Sequence, residues 1–137
     1  MEKSDMAKSK LFVFRENKMT RCDHVEEIYA ILDQRDAKGF NAVYMRPEEK
    51  EPWPLMSILI KDDMAFVQLV PEDFHQGYIS LSDFSQDLDY ENGKTVFREG
   101  MRSVDVQNMY VISGDTLREV VNEFFHTGKL PECIMWT

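Results

Sequence analysis

Two apolar runs, residues 55–60 (L-M-S-I-L-I) and 64–70 (M-A-F-V-Q-L-V), are separated only by the polar triplet Lys61-Asp62-Asp63. Short apolar segments bounded by turn residues are expected to be strands, here joined in a hairpin. Both runs are largely apolar on both faces. A strand of that kind is buried from two sides, so the hairpin is expected near the middle of a sheet.

The last two dozen residues, 114–137, supply a layer to cover it. Leu117, Val120, Val121, Phe124 and Phe125 recur at spacings of three and four, one apolar stripe on an amphipathic helix. Asp115 is expected as its N-cap, Gly128 as its left-handed terminator, and Pro131 forbids continuation. The segment Cys133-Ile134-Met135-Trp136 is too apolar for a frayed tail and is expected to dock as a short strand or plug.

The remaining elements follow in order. Residues 1–9 read as a solvated, flexible tail and 11–14 as a strand. A helix follows, with Asp23 and Glu26 at capping-box spacing and a stripe of Val25, Ile28, Tyr29 and Leu32. Residues 36–39 end that helix and 40–45 form a second strand. The stretch 47–54 holds three prolines and Trp53 and reads as a loop. Pro71 stops the strand 64–70, so Glu72 and Asp73 read as turn polarity. Further strands are expected at 78–81, 95–98 and 104–112, with Asn92-Gly93 as a turn. There is no internal repeat and no long linker, so residues 1–137 are expected to form one domain. Its class is α+β: a largely antiparallel β-sheet of about five to six strands with two main helices packed on one face. Trp136 would cover the sheet edge or the end of the core.

The helix ending in Phe124-Phe125, then Thr127-Gly128, then Pro131-Glu132 and a penultimate Trp136 resembles the C-terminus of immunity protein family 1. Members of that family are bacterial antitoxins of polymorphic toxin systems, and many of their toxins are deaminases. Elsewhere the likeness is one of layout: an early helix, a central hairpin and a loop-rich middle. The resemblance implies an immunity protein, an antitoxin acting by protein–protein interaction as a toxin inhibitor.

Composition and motifs are consistent with a binder. The chain of 137 residues is 43% hydrophobic and carries a formal net charge of -9, so it repels phosphate backbones and steers toward basic partners. The two cysteines suit a reducing compartment, no secretory h-region precedes the domain, and no run approaches the roughly 20 apolar residues of a membrane span. A cytoplasmic location is expected. No cofactor and no metal are expected: His24, His75, His126, Cys22 and Cys133 lack paired ligand spacing. The run Asp87-x-Asp89-x-Glu91-Asn92-Gly93 approaches a calcium loop, but it places Asn92 where glycine is needed and Arg98 where the bidentate glutamate belongs. There is no nucleophile elbow, no glycine-rich phosphate loop and no zinc-deaminase signature, so an enzyme is not expected.

The most polar stretch, 82–93, mixes carboxylates with aromatics. Asp83, Phe84, Asp87, Asp89, Tyr90 and Glu91 are the expected contact residues for a basic, substrate-binding cleft on a cognate deaminase or nuclease toxin. Trp53, between two prolines, is a second possible anchor or a lid over the core. The alternative is a small-ligand or regulatory module whose pocket lies between sheet and helices.

Overall fold

The structure, a computed structural model, describes residues 10–48, 52–83, 89 and 92–137. Its elements run β1 (Leu11–Arg15), β2 (Lys18–Cys22), α1 (Val25–Leu32), β3 (Phe40–Pro47), β4 (Leu55–Lys61), β5 (Met64–Val70), β6 (Tyr78–Ile79), β7 (Lys94–Glu99), β8 (Arg102–Gln107), β9 (Ile112–Ser113) and α2 (Gly114–Thr127). Seven strands form one antiparallel sheet in the order β2-β1-β3-β4-β5-β6, and β9 also pairs with β5. β4 and β5 are paired in full from Leu55–Val70 to Lys61–Met64, with the strand β3 on their far side. The central hairpin and the α+β class are as expected. No helix among the described residues is long and apolar enough to cross a membrane.

Alternation along β4 explains its double-sided apolarity. Met56, Ile58 and Ile60 point to the helical layer, where they join Val43, Met45, Val67 and the stripes of both helices in one buried cluster. Ile28 and Leu32 of α1 and all five stripe residues of α2 are buried there. Leu59 points the other way and meets a second cluster with Phe97, Val106 and Val111. That cluster belongs to β7 and β8, which form a separate two-stranded ribbon across the face opposite the helices. The sheet is thus covered on both sides.

Four local expectations need correction. β2 was not anticipated, because its sequence K-M-T-R-C is mostly polar; as the outer strand it pairs with β1 alone. The cap of α2 is Ser113 rather than Asp115, its hydroxyl accepting from the Thr116 amide at 3.1 Å. At α1 the reciprocal acid is Glu27 rather than Glu26: its carboxylate accepts from the amides of Asp23 (2.8 Å) and His24 (2.9 Å). The run 104–112 is not one strand. Asn108 breaks it, donating to the Asp89 carbonyl at 3.0 Å and accepting from the Thr95 hydroxyl at 2.6 Å, and a single 3-10 turn over Asn108–Tyr110 leads into β9.

The other terminators match. Gly128 sits at φ 66° and donates to the Phe124 carbonyl at 2.8 Å. Ile79 and Thr137 exchange reciprocal backbone hydrogen bonds of 3.0 Å, Leu81 donates to the Met135 carbonyl, and Trp136 bridges Ser80, so the apolar end docks as a short strand beside β6. Trp136 packs against the helix-side core and its indole donates to the Pro131 carbonyl at 2.7 Å.

The β4–β5 turn is gripped from two directions. Asp62, at φ 53°, donates its amide to the Gly39 carbonyl (2.8 Å), while the Gly114 amide donates to the Asp63 carbonyl (2.9 Å). A Cβ at Gly39 would run into the Asp62 carboxylate, and one at Gly114 into that of Asp63.

Candidate functional site

Of the six expected contact residues, Asp83 and Asp89 can be placed; Phe84, Asp87, Tyr90 and Glu91 lie outside the described residues. Asp83 accepts a hydrogen bond from the Thr116 hydroxyl, at the N-terminus of α2, where the helix dipole favours a carboxylate. Asp89 holds a turn. Its side chain accepts from the Asn92 amide at 3.2 Å, and its carbonyl receives both Gly93 and the Asn108 amide group at 3.0 Å. Both acids therefore have partners within the fold. The residues that carry the family resemblance are architectural too: Gly128 ends α2, Pro131 is buried and receives Trp136, and the Glu132 amide donates to the Glu123 carboxylate at 2.6 Å.

The negative charge has a second, larger location that a search for compact acidic runs misses. Residues 23–33 and 113–127 hold seven carboxylates and one basic side chain of the Lys/Arg type. With the apolar stripes turned to the core, Asp23, Glu26, Glu27 and Asp33 of the α1 region, and Asp115 and Glu119 of α2, are exposed, and Glu123 is partly so. Arg118, the single cation, is engaged: its guanidinium donates to both Asp33 oxygens at 2.6 and 2.7 Å and lies 4.8 Å from the Tyr29 ring centre. The helical layer is thus one broad anionic surface. The absence of Lys and Arg between Cys22 and Arg35 was the signal for it in the sequence.

Two open cavities flank this frame. One, of about 320 Å³, lies between the end of α1, the β4–β5 turn and the start of α2, and is lined by Asp33, Asp62, Asp63 and Asp115 with Arg35 and Arg118. Arg35 is tied to backbone, donating to the Asp62 carbonyl at 2.8 Å and the Leu32 carbonyl at 2.5 Å. The other, of about 340 Å³, lies between the β1–β2 turn, β3 and the tip of the β7–β8 ribbon. Arg15, Asn41, Tyr44, Arg98 and Glu99 line it. Asn41 is buried and fully occupied, accepting from Arg15 at 2.6 Å and donating to the Ile31 carbonyl at 3.0 Å.

The titrating groups of this second cavity are locked rather than poised. The Tyr44 hydroxyl donates to Glu99, which also accepts from Arg102 at 2.5 Å. The Tyr44 bond holds the Glu99 carboxyl below its ordinary range, and burial pushes the Tyr44 phenol well above its own. Both are thereby held in the forms they already have at neutral pH, a poor arrangement for proton transfer. Burial likewise pushes the Cys22 thiol up to about 11, and at Cys133, an exposed residue, the partial burial it has and the hydrogen bond to Glu123 raise the thiol as far, leaving little thiolate for nucleophilic work. Among the described residues, no three His, Cys, Asp or Glu side chains are grouped to hold a metal ion.

The chain matches no protein-family model and no curated protein.

Proposed function

We propose that this protein is an immunity protein: it binds a cognate bacterial toxin, a deaminase or a nuclease, and occludes its active site without a catalytic step of its own. The resemblance of residues 124–136 to immunity protein family 1 suggests the class. The observation that carries the reading is the anionic helical layer, seven carboxylates with one already paired arginine. A surface of that kind accelerates encounter with the basic cleft through which a toxin handles nucleic acid, and it disfavours nucleic acid itself. Phe84, Asp87, Tyr90 and Glu91, which lie outside the described residues, are further candidates for the contact. The protein acts in the cytoplasm, where its two unpaired cysteines stay reduced.

The test is recovery of the tagged protein from its native host, with mass spectrometry of what accompanies it. The expected result is a stoichiometric partner bearing a deaminase or nuclease domain, whose activity an equimolar amount of the purified protein abolishes. A partnerless monomer from cells that express such a toxin would sink the proposal. The cavity of about 340 Å³ beside Tyr44 and Arg98 favours one second reading, a small-ligand or regulatory module. A metabolite that raises the melting temperature, with no protein partner recovered, would select it.

A further inference from the structure

Residues 71–77 connect β5 to β6, and at their centre Phe74 is wholly exposed, with 100% relative accessibility. The loop that presents it is closely fastened. The His75 amide donates to the Glu72 carbonyl (3.3 Å), the Phe74 amide to the Asp73 carboxylate (3.1 Å) and the Gly77 amide to His75 Nδ1 (2.8 Å). Gln68 of β5 reaches across to the Gln76 carbonyl at 3.2 Å, and the His75 and Tyr78 rings lie 4.9 Å apart. Gly77, at φ 99°, fits so tightly that a Cβ there would stand 2.9 Å from Gln68 Nε2. Held by this frame, Phe74 takes φ 64°, a region that bulky residues rarely enter. Strained backbone that the surroundings enforce is a mark of functional loops, and here its effect is to hold a large apolar ring in water.

Glu72 and Asp73, immediately before the ring, are exposed, and neither pairs with a cation among the described residues. An aromatic ring beside two negative charges has the outline of a nucleotide. Enzymes that act on nucleobases take the base into a pocket lined by aromatic and apolar side chains, and cationic grooves follow the flanking phosphates. We propose that Phe74, with Glu72 and Asp73, is a nucleotide-mimicking plug: the ring fills the base pocket of the toxin and the two carboxylates meet its phosphate-binding cations. This rests on the reading of the protein as a toxin inhibitor and names the group that enters the active site. Burial of one aromatic anchor with few rotatable bonds, surrounded by charge contacts at its rim, is the usual distribution of energy in a tight interface.

The toxin domain recovered with the protein is the probe, loaded with a fluorescent single-stranded oligonucleotide. Wild-type protein should displace the oligonucleotide. Phe74→Ala should require about tenfold more protein or beyond for the same displacement, the scale of a hot-spot truncation, with its melting temperature unchanged. Phe74→Trp, which keeps a ring to stack, should displace within a few-fold of wild type. Displacement by Phe74→Ala equal to wild type overturns the plug and leaves the inhibitor reading standing. Wild-type protein that binds the toxin domain without displacing the oligonucleotide overturns the plug and occlusion of the active site together, and leaves only the binding of the toxin standing. Wild-type protein that does not bind the toxin domain at all defeats the inhibitor reading and the plug with it.

Discussion

Phe74 has a signature in stability as well as in binding. Its ring makes no buried contact to lose, while its φ of 64° is a conformation that asparagine tolerates far better than phenylalanine. Phe74→Asn should therefore raise the melting temperature by about 1–3 °C, the equivalent of a fraction of a kcal/mol for a domain of this size. A lower melting temperature in calorimetry would mean that the ring is packed in the native state. The thiols give a second residue-level expectation. Cys22 and Cys133 are both held up at about 11, against an ordinary 9.0, chiefly by burial, with Glu27 and then Asp23 adding at the first, and Glu123 at the second. The folded state keeps these protons longer than the unfolded chain does. Their contribution is therefore complete below pH 9 and is lost as the pH rises toward 11. The urea midpoint should fall across that window, and more shallowly in a Cys22→Ala/Cys133→Ala double variant. Tyr29 and Tyr44, also raised by burial, should leave a residual slope.

Among the elements, the most informative substitutions separate the two buried clusters. Phe97→Ala, in the β7–β8 ribbon, removes a fully buried ring and should cost about 3–5 kcal/mol in denaturant unfolding, comparable to Phe124→Ala under the helices. A much smaller loss would mean that the ribbon is loosely attached. These clusters also mark what could be read in advance. The helical stripes and the β4–β5 hairpin were legible because burial imposes a period on the residues themselves: 3.6 along α2, and two-sided apolarity along β4. β2 left no such trace, since an outer strand with one partner needs few apolar residues. The division of 104–112 was illegible for another reason. Asn108 takes its partners, Asp89 and Thr95, from the preceding loop and strand, which no local pattern reveals. The run 95–98 read only as a strand; that Thr95 and Phe97 are buried, and that a second core lies beneath Phe97, is visible in the fold alone. The candidate site was legible only in part. A compact acidic stretch drew attention to 82–91, whereas acids spaced around Glu26 and Glu119 become one surface only when α1 and α2 lie side by side. Phe74, next to Glu72 and Asp73 in what read as turn polarity, carried no signal of its own, because exposure of an apolar residue is a property of the fold.

At the scale of the whole molecule, charge and shape make separable demands on the partner. Reversal of Glu26, Glu119 and Glu123 to lysine should slow association with the toxin domain by about tenfold at low ionic strength, with little change in dissociation. The difference should shrink as salt shortens the screening length. Stopped-flow association at two salt concentrations checks this, and a rate indifferent to both would place the contact away from the helices. The β4–β5 turn carries a consequence of another kind. Its two carboxylates fit against the bare Cα atoms of Gly39 and Gly114, which enter from opposite ends of the chain's order and fasten the sheet to both helical connections. To descent with modification these four positions are one character. A lineage that gains a side chain at residue 114 must also turn aside or replace the carboxylate at 63, whereas residue 39, at φ 91°, is held to glycine by its backbone as well as by the carboxylate at 62.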